Sequence, residues 1–203
     1  AVIGLAEKDA ENIVAHLMLD GVEYEKEVVD GKADIEVPVI LKSGEYNVPL
    51  TITYILDDEE KELIEEQNFT LTFKSPEVSG FKVGRGEGPV EFWKAVASYR
   101  ENDGKITGAS IRFKVDTWKE EITRYEPDGT PVYETVNRVY YENVKATVKD
   151  GKIVATVDPL NIVWKYDSAE LDENDIRLIV STDLRGEKGT ITLKTYFNYD
   201  ILL

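Results

Sequence analysis

The sequence predicts an antiparallel all-β fold built as a β-sandwich, and three observations carry that expectation. Apolar and polar side chains alternate with period two through most of the chain. Five Asp-Gly dipeptides (20–21, 30–31, 103–104, 128–129 and 150–151) punctuate the alternating runs, and this pair accepts the positive φ of a two-residue hairpin turn. Each run is apolar on one face only, so two sheets must face each other to cover them.

In chain order, the first strand is expected over 12–19, with Ile13, Ala15, Leu17 and Leu19 on one face and His16 on the other. Strands follow at 22–29, at 33–42 (Ile35, Val37, Val39, Leu41), at 46–56 (Val48, Leu50, Ile52, Tyr54) and at 67–74 (Phe69, Leu71, Phe73). Leu17, Val37, Val39, Leu50, Ile52, Phe69 and Leu71 are the expected core of this half, because they occupy the regular apolar faces. Between the last two strands, "DDEEKELIEEQ" reads as a solvated loop in preference to one helical turn. Residues 75–89, "SPEVSGFKVGRGEGP", gather four glycines and two prolines, which marks a linker between a first domain at 1–78 and a second at 79–203. Gly84, Gly86 and Gly88 lack the lysine, hydroxyl and following helix of a phosphate cradle. Beyond the linker, "PVEFWKAVASY" fits a short helix or a strand, since periodicity does not decide. Strands are then expected at 105–116, 118–126, 131–148, 152–157, 161–166, 176–182 and 190–200, a second and larger antiparallel β domain.

Composition narrows the chemistry. The 203 residues carry 40 acids against 24 bases, a net charge of -16, which repels phosphate backbones and anionic lipid, so no nucleic acid partner is expected. There is no cysteine and one histidine, His16, which removes disulfides, thiolate zinc sites, thiol nucleophiles and histidine-rich metal sites. No stretch is apolar for the length of a membrane span. Abundant Glu, Lys, Ile and Val with almost no Met or Cys suits a hot or oxidising setting, as in a thermophile's exposed proteins. The apolar start fits a mature chain left after signal-peptide removal, and hence an extracellular or cell-surface location.

The segment "ADIEVPVILKSGEYNVPLTITYILDDEEKELIEEQNFTLTF", about residues 33–74, resembles the immunoglobulin-like repeats of archaeal and bacterial exported surface-layer-type proteins. The resemblance is carried by Gly44, Tyr46, Val48, Pro49, Leu50, Ile52 and Tyr54, followed by an acidic loop and a closing strand. It implies an immunoglobulin-like β-sandwich for the first domain and a structural role, with no catalytic or ligand residues. The second domain has no such resemblance.

Few residues suggest a site. In "DSAELDEND", Asp167, Glu170, Asp172, Asn174 and Asp175 offer the hard oxygen ligands that calcium takes, but without the central glycine and terminal glutamate of an EF-hand, so a solvated loop is the competing reading. No other cofactor is expected. Trp93, Trp118, Trp164 and the eleven tyrosines would make a carbohydrate platform if coplanar and exposed; most are expected instead in the core or in cross-strand pairs. Asn68-Phe69-Thr70 is a glycosylation sequon. The N-terminal "AVIGLA" alternates Ala1, Ile3 and Leu5 against Val2, Gly4 and Ala6, without charge. Such a strand either completes its own sheet or is donated to a neighbouring copy. The expectation is therefore a non-enzymatic structural protein that forms a filament or lattice as a homo-polymer by strand exchange, with a carbohydrate- or calcium-binding module as the alternative.

Overall fold

The computed structural model describes residues 9–19, 21–37, 41–87 and 92–203. Among them are thirteen β-strands and one helix of five residues, and every strand pair but one is antiparallel, so the all-β class holds. No helix among the described residues is long and apolar enough to cross a membrane. The chain forms two compact units, Ala1–Phe73 and Lys74–Leu203.

The first unit contains β1 (Glu11–Leu19), β2 (Val22–Glu27), β3 (Gly44–Leu56) and β4 (Glu59–Leu71), in one antiparallel sheet of order β2-β1-β3-β4. The second sheet of an immunoglobulin-like sandwich is not found among its described residues. Alternation decides which face is covered: Ala15 and Leu19 on β1, and Val48, Leu50 and Ile52 on β3, are buried. Val28, Ala33 and Ile35, from the segment after β2, belong to the cluster around Ala15, Leu50 and Ile52. That segment is where the expected strand at 33–42 fails, since residues 33–37 carry no strand pairing; Val39 and Asp20 lie outside the described residues. The expected acidic loop at 57–67 is also corrected. Asp57 and Asp58 alone make the turn, at φ 55° and 62°, and Glu59 begins a thirteen-residue strand paired along all of β3. Both faces of β4 carry glutamates, which hides the period-two signal, and charge suits a strand at the sheet's edge. Phe69, expected in the core, is 39 % exposed and stacks on Tyr46 at 5.4 Å.

The second unit is a two-layer sandwich. One sheet, of order β13-β5-β6-β10-β9, contains β5 (Glu77–Arg85), β6 (Trp93–Arg100), β9 (Thr147–Lys149), β10 (Lys152–Val157) and β13 (Phe197–Leu202). The other, β12-β11-β7-β8, contains β7 (Lys105–Tyr125), β8 (Pro131–Lys145), β11 (Ala169–Leu184) and β12 (Glu187–Thr195). Their inner faces meet in one core that includes Val83, Ala95, Ile153, Phe113, Leu178 and Phe197. Trp93 stacks on Phe197 at 4.3 Å and meets Phe113 at 6.0 Å.

Six readings of this half change, two of them by division: the strand expected at 131–148 is β8 and β9, in different sheets, and that expected at 190–200 is β12 and β13, likewise in different sheets. The glycine-rich stretch at 75–89 is not merely a linker, because β5 runs through it with Val83 fully buried. The strands expected at 105–116 and 118–126 are one strand of twenty-one residues, β7. The strand expected at 161–166 is instead the helix α1 (Pro159–Val163), capped by Asp158, whose carboxylate accepts from the Leu160 and Asn161 amides, with proline in its first turn. In the acidic stretch at 167–175, Asp167 and Ser168 lie in a bend, but residues 169–175 are not a loop: they start β11, with a register shift between Leu171 and Ile176.

Candidate functional site

The expected calcium ligands are brought to one sheet, where most already have cations. Lys114 on β7 places Nζ 2.8 Å from Asp116 and 3.0 Å from Asp172, so its pKa is raised by those hydrogen bonds while that of Asp172 is lowered. Asp175 accepts two bonds from the Arg177 guanidinium at 2.8 and 3.0 Å and lies 3.7 Å from Lys194; the arginine holds its carboxyl below the usual range. Asp167 meets Lys119 at 3.5 Å, and the Asn174 amide donates to Asp172. Glu170 pairs in register with Asp116 and lines, with Trp93, Leu160, Asp172 and Glu173, an open cleft of about 650 Å³. Among the described residues no three acids or histidines are grouped to hold a metal. Cations taken from β7, β11 and β12 neutralise the stretch instead, a pairing that sequence spacing does not reveal.

His16 lies across the sheet from Thr53, with Nε2 3.0 Å from its hydroxyl. Glu23 stands 3.1 Å from Nδ1 without hydrogen-bond alignment. This is a histidine held within a sheet face, and among the described residues no group of three acids or histidines forms around it to hold a metal.

The tryptophans separate. Trp93 belongs to the core, while Trp118 is 42 % and Trp164 75 % exposed. Trp118 lines a smaller groove, about 240 Å³, with Glu121, Arg138, Tyr140, Lys165 and Tyr166. Behind it lies a network that the sequence did not suggest. Glu142 on β8 accepts from Lys165 at 2.6 Å and from the Tyr166 hydroxyl at 2.8 Å, and Tyr166 packs on Tyr140 at 4.9 Å. Lys165 and then Tyr166 keep the Glu142 carboxyl ionised below its ordinary range; burial and Glu142 push the Tyr166 phenol up to about 12. A phenol held protonated beside a carboxylate that already has its cation is a fastening of residues 165–166 onto β8, and it offers no group poised for proton transfer near neutrality.

Among the edge strands of the three sheets, two are long: β4, of thirteen residues, and β8, of fifteen. β4 ends the first unit's sheet and β8 ends a sheet of the second. On β4, Leu63 and Phe69 point to the same face as buried Ile52 and Val48, yet Leu63 is 40 % and Phe69 39 % exposed. The apolar face is covered over β1 and β3 and open over β4. The expected donor segment, Ala1, Val2, Ile3, Gly4, Leu5 and Ala6, lies outside the described residues. No protein-family model matches the chain, and no curated protein matches it.

Proposed function

We propose that this is a non-enzymatic, extracellular structural subunit that builds a filament or lattice by donating its N-terminal strand to the first unit of another copy. The observation that carries the reading is the uncovered β4: an edge strand of thirteen residues beside a buried apolar cluster, with Leu63 and Phe69 left half open. A strand added along β4 would satisfy its outward backbone groups and put Ile3 and Leu5 on the face that carries those side chains. Burying two aliphatic side chains contributes about 1.5–3 kcal/mol each. Strand hydrogen bonds add about 0.5–1.5 kcal/mol apiece. Ordering the segment costs about 1–2 kcal/mol per residue, so six residues hold weakly and neighbouring contacts must add to them. Head-to-tail donation is heterologous and does not close, which gives an open fibre. The immunoglobulin-like resemblance and the cysteine-free, acidic composition support the setting.

The test is deletion of Ala1 to Ala6, read by sedimentation and electron microscopy. The intact chain is expected to form fibres and the shortened one to stay folded without them; fibres of normal yield from the shortened chain would overturn the reading. A carbohydrate-binding module is the second reading, favoured by exposed Trp118 and Tyr140 in the smaller groove, where a sugar ring would stack on an aromatic face. Quenching or shift of tryptophan emission on titration with oligosaccharides, lost in Trp118→Ala, would favour it.

A further inference from the structure

We propose that β8 is a self-pairing edge, along which two copies of this chain join antiparallel about a two-fold axis through Tyr140, merging their β12-β11-β7-β8 sheets into one. β8 is paired on one side only, by β7, and no other described strand borders it along its fifteen residues. Its charges do not forbid a second copy. β4 lines its edge with Glu59, Glu60, Glu62, Glu65 and Glu66 against Lys61, so a copy of itself would meet like charge; β8 spaces Glu134, Arg138, Glu142 and Lys145 in alternating sign.

Geometry then limits the register. Along an antiparallel strand, alternate residues turn their N–H and C=O outward. A two-fold axis through a residue pairs positions of like parity, so outward groups meet outward groups; an axis between residues pairs outward with inward. Only residue-centred registers can form the ladder. Centring on Arg138 opposes Glu134 to Glu142 and Arg138 to itself, and centring on Glu142 opposes that carboxylate to itself. Centring on Tyr140 opposes Arg138 to Glu142 twice, Val139 to Tyr141 twice, Asn137 to Asn143 twice and Val136 to Val144 twice. The stretch 136–144, "VNRVYYENV", is thus complementary to its own reverse. The alternative with two opposite-charge pairs, centred on Val136, moves the contact onto the outer ribbon and spends one position on Pro131, which has no N–H to donate.

The exposed side chains agree with the Tyr140 register. Val139 is 49 % and Tyr141 53 % exposed on the outer face, and the pairing gathers both residues of both copies at the axis. Arg138 and Glu142 share the opposite face, since they pair with Thr117 and with core Phe113. Arg138 already bonds Glu121 at 2.9 Å, and its guanidinium has donors left for the second copy's Glu142. The two-stranded extension of β7 and β8 beyond Thr117, where β11 ends its pairing, would gain a neighbour along part of its length.

The proposal is independent of strand donation by residues 1–6, because it gives a closed pair. Two measurements on the full chain test it, with dimer formation followed by sedimentation velocity. Arg138→Glu and Glu142→Arg, each alone, oppose like charges twice and should weaken self-association tenfold or more, whereas their equimolar mixture restores both opposite pairs and should associate like the parent. Since the chain has no cysteine, Asn137→Cys and Asn143→Cys then read the register directly. Neither should form disulfide-linked dimers alone, and the mixture should. A parent chain that shows no two-fold pair, a wild-type affinity for Arg138→Glu, or crosslinking of either cysteine variant alone as readily as in the mixture overturns the proposal.

Discussion

Gly84 shows how much a single position depends on a distant strand. A Cβ built there would lie 2.6 Å from the Ile201 carbonyl oxygen and 3.1 Å from the Ile201 Cβ, because β13 runs against β5 at this point. Backbone does not yield as a flexible side chain does, so Gly84→Ala is expected to destabilise the second unit by about 1–3 kcal/mol, the usual cost of overpacking. Gly108 is the control, with nothing within 4 Å of its added Cβ and no positive φ; Gly108→Ala should change stability by no more than about 0.5 kcal/mol. Thermal melts of the two variants beside the parent check both. In the sequence, Gly84 is one of a run of glycines and reads as linker, because the residue that excludes a side chain lies at the other end of the unit.

At the scale of elements, what the sequence disclosed was the chemistry local to a turn. Asp30-Gly31 and Asp150-Gly151 adopt the positive φ their composition demands, and Gly129 does so at 86°. The Asp57-Asp58 turn was hidden by the acids that follow it, and α1 by apolar residues that fit a short strand, although Asp158-Pro159 carried the cap signal. The sequence expects the strand at 176–182, but the start of β11 is masked for a different reason: residues 169–175 read as a solvated acidic loop until Lys114, Arg177 and Lys194 are brought beside them by pairing. That pairing has a pH consequence. Asp172 and Asp175 have lowered pKa values in the fold, so they bind protons more readily when unfolded. Their stabilisation is complete above the ordinary carboxylate range and is lost as pH falls through that range toward the folded values. Acid titration of the second unit's stability should fall over that interval in the parent and more shallowly in Asp172→Asn, which has one such group fewer. An equal slope in both would remove Asp172 as a contributor.

For the whole molecule, the two units differ in what holds them. The second buries a core shared by two sheets, including Phe113, Ile176, Leu178 and Val180 at 0 % exposure, whereas the first gathers Ala15, Ala33, Leu50 and Ile52 under one sheet. Stability follows buried apolar area, so the first unit should melt earlier. Calorimetry is expected to show two transitions, with hydrogen exchange assigning the lower to residues 11–71; a single cooperative transition would argue that the units unfold together. Their connectivity also sets an order of events. In the first unit β1 pairs with β2 and β3 with β4 across two tight turns, so each hairpin can close as soon as it leaves the ribosome or a translocation pore. In the second, β5 is the first strand made and β13 the last, yet Phe197 and Asn198 lie in parallel register with Val83 and Gly84. One flank of β5 therefore waits, unpaired, until almost the whole unit has been threaded out, a high-contact-order closure that makes this step slow. A holding chaperone or a still-extended chain is what the interval calls for, and the exposed β5 flank is where premature pairing between nascent copies would begin.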